Sequence, residues 1–274
     1  MTRTRRAFLI GSAGIVGGGL VVGFGYWLHQ PGPNPFVTGP SLRQHPFNAY
    51  VRVGENDIIT VAVPRAEMGQ GVQTSLAMLV AEELDVPLEN VRVEHPLPSK
   101  HYINLKLVEE GLWLVLPHGQ GKWAKRWRKT AEFTSGYFKV MQLTGGSSSV
   151  RDAWDPMRHA GATARALLVA AAAESWDIDA RRLTTVQGTV RDPSGRELAY
   201  GKLARRAASI VLAHKVFPKK PSQYGLIGTS PLHRLNTAAD KANGTAKFGI
   251  DVKDGKMLYA AIRSVPTLRI SEAR

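Results

Sequence analysis

Apolar and polar positions alternate from Ala49 to Val53 and again from Ile58 to Val63, with Gly54-Glu55-Asn56-Asp57 between the two runs. A period of two predicts half-buried strands, and the four turn residues predict a hairpin. Pro64 cannot donate to a ladder and ends the second strand. The period then changes. Val72, Leu76, Leu79, Val80 and Leu84 recur at helical spacing, predicting a helix that ends near Asp85-Val86-Pro87. Val91-Arg92-Val93-Glu94 alternates again and predicts a third strand. The stretch Glu67-Met68-Gly69-Gln70-Gly71 therefore sits at a strand-to-helix turn. Free N–H groups and the helix dipole favour an anion there, and two glycines let a bulky ligand approach the main chain. Gln70 adds a neutral donor and acceptor. A tight turn without a ligand is the alternative, and a second Gly-Gln-Gly at 119–121, with no alternating strand before it, carries no weight.

The same pattern recurs downstream. Gln142-Leu143-Thr144-Gly145-Gly146-Ser147-Ser148-Ser149 is a second glycine-rich turn leading into a helix, with Ser149 as the expected N-cap and Asp152 as its acidic partner. Serine hydroxyls and free N–H groups could hold phosphate, or could serve capping alone. The helix is expected to break or kink near Pro156 and to run to about Trp176, with Ala160, Gly161, Ala164 and Ala171 forming a small-residue face for close packing. Leu183–Val190 and Glu197–Tyr200 predict a second hairpin across Asp192-Pro193-Ser194-Gly195. Gly201–Ile210 predicts a short helix, and the basic, proline-containing Lys215–Ser222 a domain boundary. Lys122 to Lys129 interleaves cations with Trp123 and Trp127. At i,i+4 the two rings predict an amphipathic helix with its cations in water rather than a nucleic-acid surface.

Charge and composition narrow the chemistry. Among 274 residues, 36 are basic and 22 acidic, a net charge of +14, which points to anionic partners. There is no cysteine, so a Cys-held iron–sulfur cluster, a Cys zinc site and a disulfide are all excluded from this chain. His95, His101 and His118 have no spacing expected of metal ligands, and no metal-binding or catalytic residue is assigned. At the N-terminus, Thr4-Arg5-Arg6-Ala7-Phe8-Leu9 is a twin-arginine pattern followed by an apolar segment to about Leu28, long enough to span a bilayer. Residues 1–30 thus read as an export signal or, with Tyr26 and Trp27 in place of a small-residue cleavage site, as an uncleaved anchor. The bulk of the chain would then be periplasmic, and nucleic acid is not an expected partner. Five prolines between Pro31 and Pro46 make residues 31–47 an extended linker.

Taken together, these residues resemble the molybdenum-binding large subunit of the xanthine dehydrogenase/aldehyde oxidase family, in its isoquinoline 1-oxidoreductase and membrane-bound aldehyde dehydrogenase branch. The resemblance rests on Glu67-Met68-Gly69-Gln70-Gly71 with Thr74, on Leu79 to Val86, on Thr144 to Trp154 and on Arg158 to Ala162. It continues through Tyr200 to Ala204, Lys241 to Val252 and Met257 to Ala261. It implies an α+β fold of mixed sheet and helix layers. Residues 48–214 would be the first part of a molybdopterin-binding domain, 215–240 a linker, and 241–274 the start of an incomplete hammerhead-like α/β domain. It implies a molybdenum pyranopterin cofactor, in its cytosine dinucleotide form, held by Gly69, Gln70, Gly71 and Thr74 on one arm and by Gly145, Gly146, Ser147, Ser148 and Ser149 on the other. The family oxidises aldehydes or N-heterocycles with oxygen from water. Its electrons leave through a separate iron–sulfur subunit and often a cytochrome c, which suits a chain without cysteine.

Family members are much longer, and the region carrying their glutamate base is missing here. The chain therefore reads as a truncated member, inactive alone. Glu67, Glu82 and Glu83 are expected to cap or to lie on helix surfaces, not to act as the base. The alternative is a membrane-tethered, non-enzymatic module binding an anionic ligand or a partner subunit.

Overall fold

A computed structural model describes residues 34–36, 43–107, 110, 121–123, 126, 142–229, 235 and 238–263. The signal or anchor of residues 1–30, most of the basic tryptophan segment, His118 and the tail from 267 lie outside the described residues. Among the described residues no helix is long and apolar enough to cross a membrane.

The alternating runs form a hairpin of β2 (Val51–Gly54) and β3 (Ile59–Ala62), with Val51 opposite Val61 and Val53 opposite Ile59. A short strand, β1 (Gln44–Pro46), extends the sheet antiparallel to β2. The helical period becomes α1 (Val72–Leu84), which carries the chain over to β4 (Val91–Glu94), parallel to β3. A parallel pair needs such a crossover, so the glycine turn at 69–71 sits at a strand-to-helix junction as the pattern predicts. Helix α1 is buried almost all round, Glu82 and Glu83 included, as expected of a helix enclosed by other elements.

Helix α2 (Ser149–Trp176) continues unbroken through Pro156. It lies against α1 along its small residues. A Cβ at Gly161 would stand 2.8 Å from Glu83 Cβ and 2.9 Å from the Val80 carbonyl oxygen, so only glycine permits this approach. The core joins Val51, Val53, Ile59 and Val61 of the sheet to Leu76, Val80 and Leu84 of α1 and to Met157 and Leu168 of α2.

The second predicted hairpin is instead a three-stranded antiparallel meander: β5 (Thr184–Val186), β6 (Thr189–Arg191) and β7 (Glu197–Ala199). Gln187 and Gly188, with φ of 50° and 80°, form a tight turn inside the run expected to be one strand. Two consecutive left-handed residues are what a two-residue hairpin requires. Helix α3 (Tyr200–Ala207) follows, and the Tyr200 hydroxyl donates to the Leu84 carbonyl at the end of α1 over 2.7 Å.

The basic segment expected to mark a boundary is tied down. The Lys219 N–H donates to Glu83 at 2.9 Å, and its ammonium lies 3.1 Å from Glu82 and 2.5 Å from Asp85. Consecutive N–H groups of Gly225, Leu226 and Ile227 donate to the Glu82 carboxylate at 3.0, 2.6 and 2.9 Å. Burial pushes the Glu82 pKa up, but these three donors and Lys219 outweigh it and hold the carboxyl below its usual range. The division into compact units falls after Asn236. In the second unit, the described residues form a short helix, α4 (Ala238–Asn243), and a single helical turn at Gly249–Asp251.

Candidate functional site

The turn before α1 is shaped by its glycines. Gly69 and Gly71 have φ of 101° and 78°, and a Cβ on either would meet no heavy atom within 4 Å. The main chain is therefore bare on its outer side. Its N–H groups are not. The Glu67 carboxylate accepts from Gly69 at 2.8 Å, from Gly71 at 3.0 Å and from Gln73 at 3.0 Å. This corrects the expectation of a free anion cradle on this arm: the chain supplies its own anion to the start of α1. Gln70 is also engaged, accepting from Met68 N–H at 2.5 Å and donating to the Ala66 carbonyl at 2.8 Å.

The second turn is built differently. Gly146 and Ser147 have φ of 57° and 50°. Ser148, not Ser149, is the N-cap of α2, and it makes no side-chain cap. Its buried hydroxyl donates to the Gly145 carbonyl and accepts from the Asn104 amide, both at 2.7 Å. Asn104 is itself fully buried and also donates to Leu143 O at 3.0 Å, fixing the turn from beneath. The first N–H groups of α2, on Ser149, Val150 and Arg151, precede any helix carbonyl that could accept from them.

Two contacts bring the turns together. The Ala66 N–H donates to Thr144 Oγ1 at 2.9 Å. Beneath it, the buried Arg65 guanidinium meets Asp152 at 2.6 Å and donates to the carbonyls of Pro64 and Tyr102 at 2.7 and 2.9 Å. Asp152 thus anchors the other arm and is not part of a capping box. Beside the pair, burial pushes the Tyr50 phenol up to about 12, and the Arg65 charge opposes that only in part. Tyr50 serves as a donor, to His101 O at 2.7 Å.

A cleft of about 290 Å³ opens between the arms. Met68, Gln70, Val72 and Ser75 form one wall, and Thr144, Gly145, Ser147, Ser149 and Val150 form the other. Of the nine residues expected to hold a ligand, Gln70, Gly145, Ser147 and Ser149 line this space. Gly69, Gly71 and Gly146 shape the turns behind it. Thr74 does not reach it: the residue is buried on another side of α1, where its hydroxyl accepts from Leu235 N–H at 3.1 Å. Ser148 is likewise turned inward.

Sequence reasoning missed Arg65, Asn104 and Asp152 as the residues that join the arms. It also placed Glu82 and Glu83 on helix surfaces. Both are buried, 3% and 0% exposed, and Glu83 accepts from Arg158 at 2.9 and 2.7 Å. Two adjacent acids inside an otherwise apolar helix were the available signal.

Comparison with known proteins agrees with the residue pattern. A molybdopterin cofactor-binding domain model matches residues 19–101, which include the first turn and stop short of the second. Isoquinoline 1-oxidoreductase subunit beta of Brevundimonas diminuta is 28% identical over 305 residues, covering 99% of this chain and 34% of its own. A membrane-bound aldehyde dehydrogenase (pyrroloquinoline-quinone) of Gluconacetobacter polyoxogenes is 27% identical over 284 residues, covering 99% and 30%. The chain therefore spans about a third of the length of these relatives. A crystal structure of quinoline 2-oxidoreductase from Pseudomonas putida 86 aligns with 56% of this chain and 15% of its own at 14% identity, with a TM-score of 0.34. Along nearly its whole length the chain is thus similar to an isoquinoline 1-oxidoreductase subunit beta and to a membrane-bound aldehyde dehydrogenase, and part of it matches a molybdopterin cofactor-binding domain.

Proposed function

We propose that this chain supplies part of the binding site for a molybdenum pyranopterin cofactor, in its cytosine dinucleotide form, within a molybdenum hydroxylase large subunit. The observation that carries this reading is the convergence of the two glycine turns on one cleft. The residues fit such a group: bare glycine backbone for close approach, serine hydroxyls, and helix-start N–H groups on the Ser147–Val150 side suited to a phosphate. When bound, the cofactor supplies the redox centre for oxidation of an aldehyde or an N-heterocycle with water-derived oxygen. This chain's residues bind and orient it. Gln70, braced by its bonds to Met68 N–H and the Ala66 carbonyl, lines the first wall beside Met68 and Val72, and the Arg65–Asp152 pair holds the walls in register.

On the same reading, electrons leave through an iron–sulfur partner subunit, with a cytochrome c as a further acceptor. The chain sits in the periplasm, anchored through residues 1–30. By itself it binds but does not turn over substrate. Element and cofactor analysis of the full chain, purified from cells that make the cofactor, tests this. Molybdenum and pterin should co-purify, and aldehyde or heterocycle oxidation with dye acceptors should be absent. Because one relative's name carries pyrroloquinoline quinone, the quinone is measured too. A chain carrying neither molybdenum nor pterin would overturn the proposal and favour a non-enzymatic anion-binding module, and quinone alone would overturn it in favour of that group.

A further inference from the structure

The carboxylate of Glu67 sits where a ligand's anion would otherwise sit. Three backbone N–H groups, of Gly69, Gly71 and Gln73, converge on its two oxygens at 2.8 to 3.0 Å. The cap comes from the loop itself, because Gly71, the N-cap residue, has no side chain and a left-handed backbone. A second anion arriving at these donors would have to displace the carboxylate or approach it. Displacement leaves the glutamate without its three partners, and approach sets like charges side by side in a partly enclosed turn. On the other wall, Ser147 and the first residues of α2, Ser149 and Val150, line the cleft, with no carboxylate among the lining residues.

We propose that Glu67 is a selectivity residue: its built-in carboxylate closes the first turn to anions. A phosphorylated ligand in the cleft must then place its phosphate on the Ser147–Val150 wall and turn a neutral portion toward Met68 and Gln70. Glu67 acts as a positioning residue, since it reaches the ligand only through the turn it occupies. This inference rests on the cleft being a ligand site, and it adds which wall takes the charge.

The probe is inorganic pyrophosphate, titrated into the full-length chain and followed by backbone amide shifts. In the wild-type protein, shifts are expected at Ser147, Ser149 and Val150 and not at Gly69, Gly71 and Gln73. In Glu67→Ala, the vacated donors should take a second anion, with shifts at Gly69, Gly71 and Gln73 and affinity at that turn rising at least about tenfold, the scale of one charge-assisted hydrogen bond. Glu67→Gln keeps the length and shape of the side chain and removes its charge, and it carries the test if the alanine variant loses helix α1. It should show the same shifts with a smaller gain. Wild-type shifts at Gly69–Gln73, or no gain at that turn in either variant while the second wall still binds, would overturn the role of Glu67 and leave the cleft reading standing. No pyrophosphate shift on either wall in any of the three proteins would overturn both.

Discussion

Replacing Arg65 with Met should destabilise the protein by about 3–5 kcal/mol, the range for breaking one partner out of a buried ion pair. The Arg65 side chain is 1% exposed and that of Asp152 is 10% exposed. Removing the guanidinium leaves the carboxylate with the Lys106 N–H at 3.1 Å, and leaves the Pro64 and Tyr102 carbonyls without the donor they now share. A buried acceptor stripped of its partner carries its full desolvation cost. The Arg65→Met/Asp152→Leu double variant should be more stable than Arg65→Met alone, because it no longer buries an unpaired charge. Denaturant unfolding of the two singles and the double checks this as a cycle. Additive losses would mean that the pair does not couple the arms. The functional consequence is separate from the stability loss: the single variants should lose anion binding in the cleft under conditions where they remain folded.

Glu83→Gln should cost a similar amount, about 3–5 kcal/mol. Glu83 is fully buried and serves three elements at once. It accepts from Arg158 on α2 through two nitrogens and from the Lys219 N–H, and it lies 3.8 Å from Arg165. An amide in its place turns one acceptor into a donor facing those donors. Arg158 would be left between Trp154 and Tyr224, whose ring centroids lie 5.5 and 5.0 Å from it, with little else to neutralise it. The loss should fall unevenly. Segment 215–229 is held to α1 and its C-cap through Glu82, Glu83 and Asp85, so limited proteolysis of Glu83→Gln, which loosens one of the three, should cut there before the core opens. Cleavage no faster than in wild type would show that the segment is held by other contacts.

The hairpin, α1 and β4 were legible because their apolar periods are clean and their ends are marked by proline and turn residues. The meander was misread because Gln187-Gly188 interrupts a run of apolar and β-branched residues that otherwise alternates like one strand. The two arms were legible as glycine turns before helices, but their internal wiring was not. Glu67 lies only a few residues from the donors it satisfies, yet nothing in the spacing tells a carboxylate folded back on its own turn from one facing solvent. Arg65 and Asp152 are 87 residues apart, and pairing at that distance is set by how α2 packs on α1. That packing in turn depends on Gly161. Thr74 is a further case. It accompanies the turn in sequence, but its side chain is buried away from the cleft lining and accepts from the Leu235 N–H.

The Gly69–Gly71 and Gly145–Ser149 turns flank one cleft. The absence of cysteine gives a direct measurement, since a single thiol introduced at exposed Met68 can be spin-labelled without background. A label on Met68→Cys should broaden the amide signals of Thr144, Gly145, Ser147, Ser149 and Val150 along with those of its own turn. Broadening confined to the neighbours of residue 68 in sequence, with the second turn untouched, would contradict the account.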